Sequence, residues 1–419
     1  MASPRRFRRG ILAVAVLAAL SSPRAEARPY VTIHDDGSFA AFNPNTTTSA
    51  KAAAAMMALY DKTGQPRPQV LSCWFGFALG GEPYGTFFLQ QSNAVQGIGF
   101  DAVYGGKGTF TGHYGPVQAI LLHNDGLDLA QRAMEYQANP DPVAYGTYLF
   151  LLEFSHQYLA AVRVPGSAPN DLGTWPHWSF WYSSGGSPPG GNIWHDNGDG
   201  TFSTTPIMPA QVKYSMLDLY LMGLASPSEV GDIQVLENAA APATPPDPTT
   251  GKPFSTASLT DFESAPLTVT ATEKTYGISD VIAKNGPRNP ATSPASSTLG
   301  IVFVVPQDAG AAEIASDQAT FDPVAVAIPP AYATATSGRA TLEVVTWEDG
   351  GLDLVTAIDA GPDAGEDGGT QPDAGEPGTD GGSSVPARQG CATAGGALAP
   401  LALLGALVLA RRRAARVGP

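Results

Sequence analysis

Two side chains stand out for chemistry because of where they sit. Glu153 and His156 lie inside Ala144–Val162 (AYGTYLFLLEFSHQYLAAV), an apolar run with no Gly or Pro after Gly146. A helix places residues i and i+3 on adjacent parts of one face. A carboxylate and an imidazole so placed can act as general base and metal ligand. In the helical pattern H-E-x-x-H, two histidines one turn apart hold zinc and the Glu activates a bound water. Here the pattern reads Leu152-Glu153-Phe154-Ser155-His156, with Leu152 in place of the first histidine. A leucine offers no lone pair, so a site built on this helix is short of a ligand, and its zinc is weak or lost.

A third ligand can come from a loop. His177 lies 21 positions after His156 in Thr174–Tyr182 (TWPHWSFWY). His113, His123 and His195 are further imidazoles, and nothing in their spacing singles one out. Bland readings stand beside these. Glu153 and His156 can be a hydrogen-bonded pair in a core, and His177 can simply pack among aromatics. Asp218 in Leu217-Asp218-Leu219-Tyr220 reads as a buried acid pinning loop N–H groups. Asp196–Thr201 (DNGDGT) has calcium-loop character but no trailing bidentate Glu. A Gly-rich turn is the expected outcome there, which makes calcium an unlikely cofactor. Cys73, in an apolar run, reads as an inert packed thiol.

These residues need a scaffold. Ala50–Tyr60 is an unbroken Ala-rich helix former, and Asn139-Pro140-Asp141-Pro142 is a stop signal directly before the chemical helix. Val70–Leu79, Gly85–Leu89, Gln96–Tyr104, Val117–His123, Ala265–Ala271, Gly300–Pro306 and Arg339–Thr346 read as strands. Ile278–Ala291 reads as a polar segment between two of them. Arg163–Pro209 is expected to be too polar and broken for regular structure, and Val230–Ser258 to be surface loop. The fold class is therefore α+β, with a helix carrying the chemistry packed on a mixed sheet within residues 28–348.

The 419 residues carry a net charge of −15 and no basic patch in the middle of the chain, so nucleic acid is excluded as a partner. Two cysteines exclude a disulfide framework and a Cys-based structural zinc site. Residues 1–27 read as an export signal, with Arg5, Arg6, Arg8 and Arg9, an apolar Ile11–Leu20 and the cleavage motif Ala25-Glu26-Ala27. Arg5-Arg6 hints at twin-arginine export, though the general secretory route is preferred. The leader holds five Arg and one Glu, so its removal takes the net charge from −15 to −19.

At the other end, the Asp/Gly/Pro tract within 349–389 reads as a disordered, self-repelling linker. Residues 390–419 bring Gly390-Cys391, the apolar Ala394–Ala410 and an Arg cluster, a transmembrane helix of about minimal length with its arginines on the cytoplasmic side.

This order of parts resembles the MYXO-CTERM sorting tails of myxobacterial surface proteins. The resemblance implies processing at Cys391 and retention of the domain at the cell surface, with release after processing as an alternative outcome. A plain single-span anchor is the alternative. Within the domain, Glu153–His156, His177-Trp178-Ser179 and Tyr214–Leu224 (YSMLDLYLMGL) with Pro227–Val230 are similar to bacterial secreted zinc metallopeptidase-like proteins. The Tyr214–Leu224 stretch is also similar to the segment after the active site in immune-inhibitor-A-type peptidases, and Ile278–Arg288 and Ala335–Leu342 match later parts of the group. The resemblance implies a zincin-like domain with Glu153 as catalytic base and His156 and His177 as metal ligands. With Leu152 as the degenerate position, it implies a pseudoenzyme that binds a protein or peptide. An active zinc endopeptidase with a non-standard ligand set and a structural or adhesive surface domain are the alternatives.

Overall fold

The computed structural model describes residues 27–39, 42–43, 47–81, 85–92, 94–99, 114–124, 141–165, 172–173, 177–239 and 267–347. The expected leader apart from Ala27, the expected acidic linker, Cys391 and the C-terminal apolar run lie outside them, as do His113 and the second half of the expected strand Gln96–Tyr104. Among the described residues no helix is long and apolar enough to cross a membrane.

The protein is mixed α and β. Its main sheet has six strands: β1 (Val31–His34), β2 (Val70–Phe75), β3 (Thr86–Gln90), β4 (Ala119–His123), β12 (Ser296–Val305) and β13 (Thr341–Val344). The order is β1-β12-β2-β4-β3, with β13 also on β12. All pairs are parallel except β3 with β4. Helix α1 (Ser49–Asp61) buries Met56, Met57 and Tyr60 in one cluster with Leu71, Cys73, Phe75, Ile120 and Val302. Val70, Trp74, Leu121, Ile301 and Phe303 join a separate cluster with α2 (Pro142–Ser155) and α5 (Ala311–Ala335). The alternation of these residues along each strand puts the two clusters on opposite faces. Burial on both faces is why β2, β4 and β12 read as near-continuous apolar runs.

Between β4 and β12 in sequence lie two smaller sheets. One has the order β11-β9-β5-β6, from β5 (Trp178–Ser183), β6 (Gly190–Asn192), β9 (Ile233–Glu237) and β11 (Thr272–Tyr276). The other is β10-β8-β7, from β7 (Trp194–Asp196), β8 (Thr201–Thr204) and β10 (Thr268–Thr270). This corrects the expectation for Arg163–Pro209, which carries β5 to β8. It also corrects that for Val230–Ser258, whose described part includes β9. These strands are only three to six residues long, too short to give a periodic signal against Gly- and Ser-rich surroundings. Ile278–Asn285, within the segment read as polar, is helix α4; α3 is Met216–Leu221.

α5 carries Pro323, Pro329 and Pro330 inside its 25 residues. Proline in a helix interior costs about 3 kcal/mol, so the sequence does not announce this element. It persists because Ile314, Gln318, Phe321, Val324, Ala325, Ile328 and Tyr332 recur at helical spacing and are buried. Phe321 stacks on Phe303 at 4.9 Å, while Pro323 and Pro330 face outward.

Candidate functional site

α2 starts where its sequence says it should. Asp141 caps it, its carboxylate accepting the N–H groups of Val143 and Ala144 at 3.0 Å, and Pro142 occupies the first turn. Every residue from Tyr145 to Ser155 is buried. The helix lies against α5 through Phe154 and Tyr332, whose rings are 5.0 Å apart, and Tyr214 donates to the Leu151 carbonyl at 2.8 Å. It ends at Ser155 rather than running on to Val162, and His156 is its C-cap. The following turn is held tightly: Ala160 has φ of 64°, and Gly99 and Gly173 approach the backbone of Ala160 and Ala161 so closely that neither has room for a Cβ.

Leu152 is 1% exposed and belongs to the apolar cluster of α2. Glu153 is fully buried, and its Oε1 accepts from the Thr86 hydroxyl on β3 at 2.5 Å. Its carboxyl partner is therefore Thr86 and not His156. The second oxygen, Oε2, is buried without a hydrogen-bond partner. Burial pushes the Glu153 carboxyl up to about 8, outweighing the opposite pull of the Thr86 bond. With no cation beside it, the acid is mostly protonated at neutral pH.

β3 also supplies Phe88, two residues on and on the same face as Thr86, whose ring meets that of His156 edge-on at 6.1 Å. His177, immediately before β5, brings its ring to 5.2 Å from that of His156. Burial lowers its imidazole to about 4, so it is neutral at physiological pH. Two imidazoles bound to one tetrahedral ion through nitrogen, at about 2.0–2.1 Å, would have ring centres roughly 5 Å apart. The separation of the pair matches that spacing. The complete set does not fit: among the described residues no group of three or more His, Cys, Asp or Glu side chains is placed to hold a metal ion.

The other histidines fall elsewhere. His123 is the register neighbour of Thr86 across β3–β4, and its ring stacks on Trp74 at 3.8 Å. His195 is exposed on β7, its Nε2 2.7 Å from the Thr205 hydroxyl. Asp218 is the buried anchor that the sequence suggests: it accepts from the Trp178 indole at 2.8 Å and from the Ser215 N–H at 2.6 Å. It thereby fixes β5 just after His177. Burial raises its carboxyl to about 6, against the pull of those bonds. Asp196–Thr201 is the tip of the β7–β8 hairpin, where Asp196 accepts from the Gly198 N–H and Asp199 from Thr201. Sequence reasoning missed Thr86. Its only signal is the strand alternation that puts it on one face with Phe88.

No family model, curated protein or solved structure matches this chain.

Proposed function

We propose that the protein is an exported, surface-anchored pseudoenzyme whose domain is zincin-like and binds a protein or peptide segment without cleaving it. The observation that carries this reading is the His156–His177 ring pair at 5.2 Å beside a buried Glu153, with Leu152 in the core where a first histidine would stand. Two ligand-type side chains lie side by side, the acid is buried close to the first of them in sequence, and the position of the first histidine is apolar. The leader, tail and Cys391 features of the sequence support export and tethering. A peptide partner is favoured by the position of β3, the last strand of the main sheet among the described residues, which carries Thr86 and Phe88 to the site. An edge strand offers backbone N–H and C=O groups to an extended segment.

The full-length protein, purified from a secreting host, should hold well under one zinc per chain by elemental analysis and leave casein intact. Stoichiometric zinc together with casein cleavage abolished by Glu153→Gln would overturn the pseudoenzyme reading in favour of an active peptidase.

A further inference from the structure

The two ends of the domain meet at one seam. β13 and β1 lie end to end along the same edge of β12, the first on Ser296–Leu299 and the second on Val302–Val305. Between them Arg28 and Trp347 exchange both backbone hydrogen bonds, Arg28 N–H to the Trp347 carbonyl at 3.1 Å and Trp347 N–H to the Arg28 carbonyl at 2.9 Å. Trp347 is 3% exposed and packs into the cluster beneath α1. Arg28 is gripped through its side chain as well. Its guanidinium is 3.6 Å from the Asp322 carboxylate and donates to the Tyr30 hydroxyl at 3.2 Å, and Tyr30 in turn donates to Asp322. Ala27, the residue before, is exposed. Among the described residues, the first that the fold grips in this way is the one that follows Ala25-Glu26-Ala27.

We propose that the Ala27–Arg28 peptide bond is hydrolysed in the mature protein and that the α-ammonium so formed on Arg28 is built into the seam as the donor to the Trp347 carbonyl. This rests on the export part of the function proposed above. Hydrolysis adds one water across the C–N bond, leaving a carboxylate on Ala27 and the ammonium on Arg28. Water is the only co-reactant, and the peptidase is that of the export machinery. The exchange strengthens the seam. An amide nitrogen offers one neutral N–H, whereas an ammonium offers three charged ones, and charge-assisted hydrogen bonds are roughly twice as strong as neutral ones. The added positive charge falls on the nitrogen that already donates to the Trp347 carbonyl at 3.1 Å.

The test has two arms. Mass spectrometry of the full chain recovered from a secreting host should give Arg28 as the first residue. The chain beginning at Arg28 should then melt about 2 °C or more above the same chain beginning at Ala25. An intact leader would overturn this inference and the export reading together. A mature terminus at another residue, or equal melting of the Arg28 and Ala25 forms, would overturn this inference alone.

Discussion

Glu153→Gln should fold and should be more stable than the parent protein at pH 8, with the difference vanishing toward pH 4.5. The sign follows from proton counting. The carboxyl titrates at about 8 in the folded protein and near 4.5 as a free side chain. Between those values the folded protein holds a proton that the unfolded chain has released. Stability contributed by this group is therefore intact below pH 4.5 and lost progressively as pH rises to 8. The loss is on the order of 4 kcal/mol across that window. Glutamine keeps the shape and can still accept from Thr86 while having no proton to lose, so the variant should show a much flatter profile. Asp218, whose carboxyl is raised to about 6, contributes a smaller slope to both proteins and cancels in the comparison. Urea denaturation at several pH values measures it. Parallel profiles for the two proteins would mean that Glu153 is ionised and solvated, as a working general base could be.

The second large effect concerns the turn that follows α2. Alanine at Gly173 would place its Cβ 2.0 Å from the Ala160 carbonyl oxygen, and alanine at Gly99 would place its Cβ 2.1 Å from that of Ala161. The obstacles are backbone atoms of a buried segment, so no side chain can swing aside. Either Gly173→Ala or Gly99→Ala should cost more than about 3 kcal/mol or abolish folding. Gly231→Ala is the internal control, because a Cβ there meets nothing within 4 Å; it should stay within about 0.5 kcal/mol of the parent. A Gly173→Ala protein with an unchanged urea midpoint would show that the turn is not clamped, and with it that the placement of His156 is not fixed by its surroundings.

The parts of the fold that the sequence reveals are those whose burial leaves a simple pattern. β2, β4 and β12 are buried on both faces and read as apolar runs; α1 is rich in Ala and Met; Asp141-Pro142 marks the start of α2. The parts it conceals are those where tertiary contact overrides local preference. α5 carries three prolines that its buried face tolerates, and β6 is Gly190-Gly191-Asn192, a composition no strand propensity would select. At the site, the nearness of His156 and His177 could be suspected from residue type and the 21-residue spacing. The bond from Thr86 to Glu153 spans 67 positions and depends on which face of β3 meets α2. That register is set by the whole sheet, so a threonine in a short strand gives no sign of it.

The central claim is that α2 is a metal-site helix lacking one ligand, and the most direct measurement is the zinc content of the parent protein beside Leu152→His. Position 152 lies one turn before His156, so a histidine there would add the missing imidazole to the pair that His156 and His177 already form. The account predicts well under one zinc per chain for the parent and close to one for folded Leu152→His. A folded Leu152→His protein that holds no more zinc than the parent would contradict it.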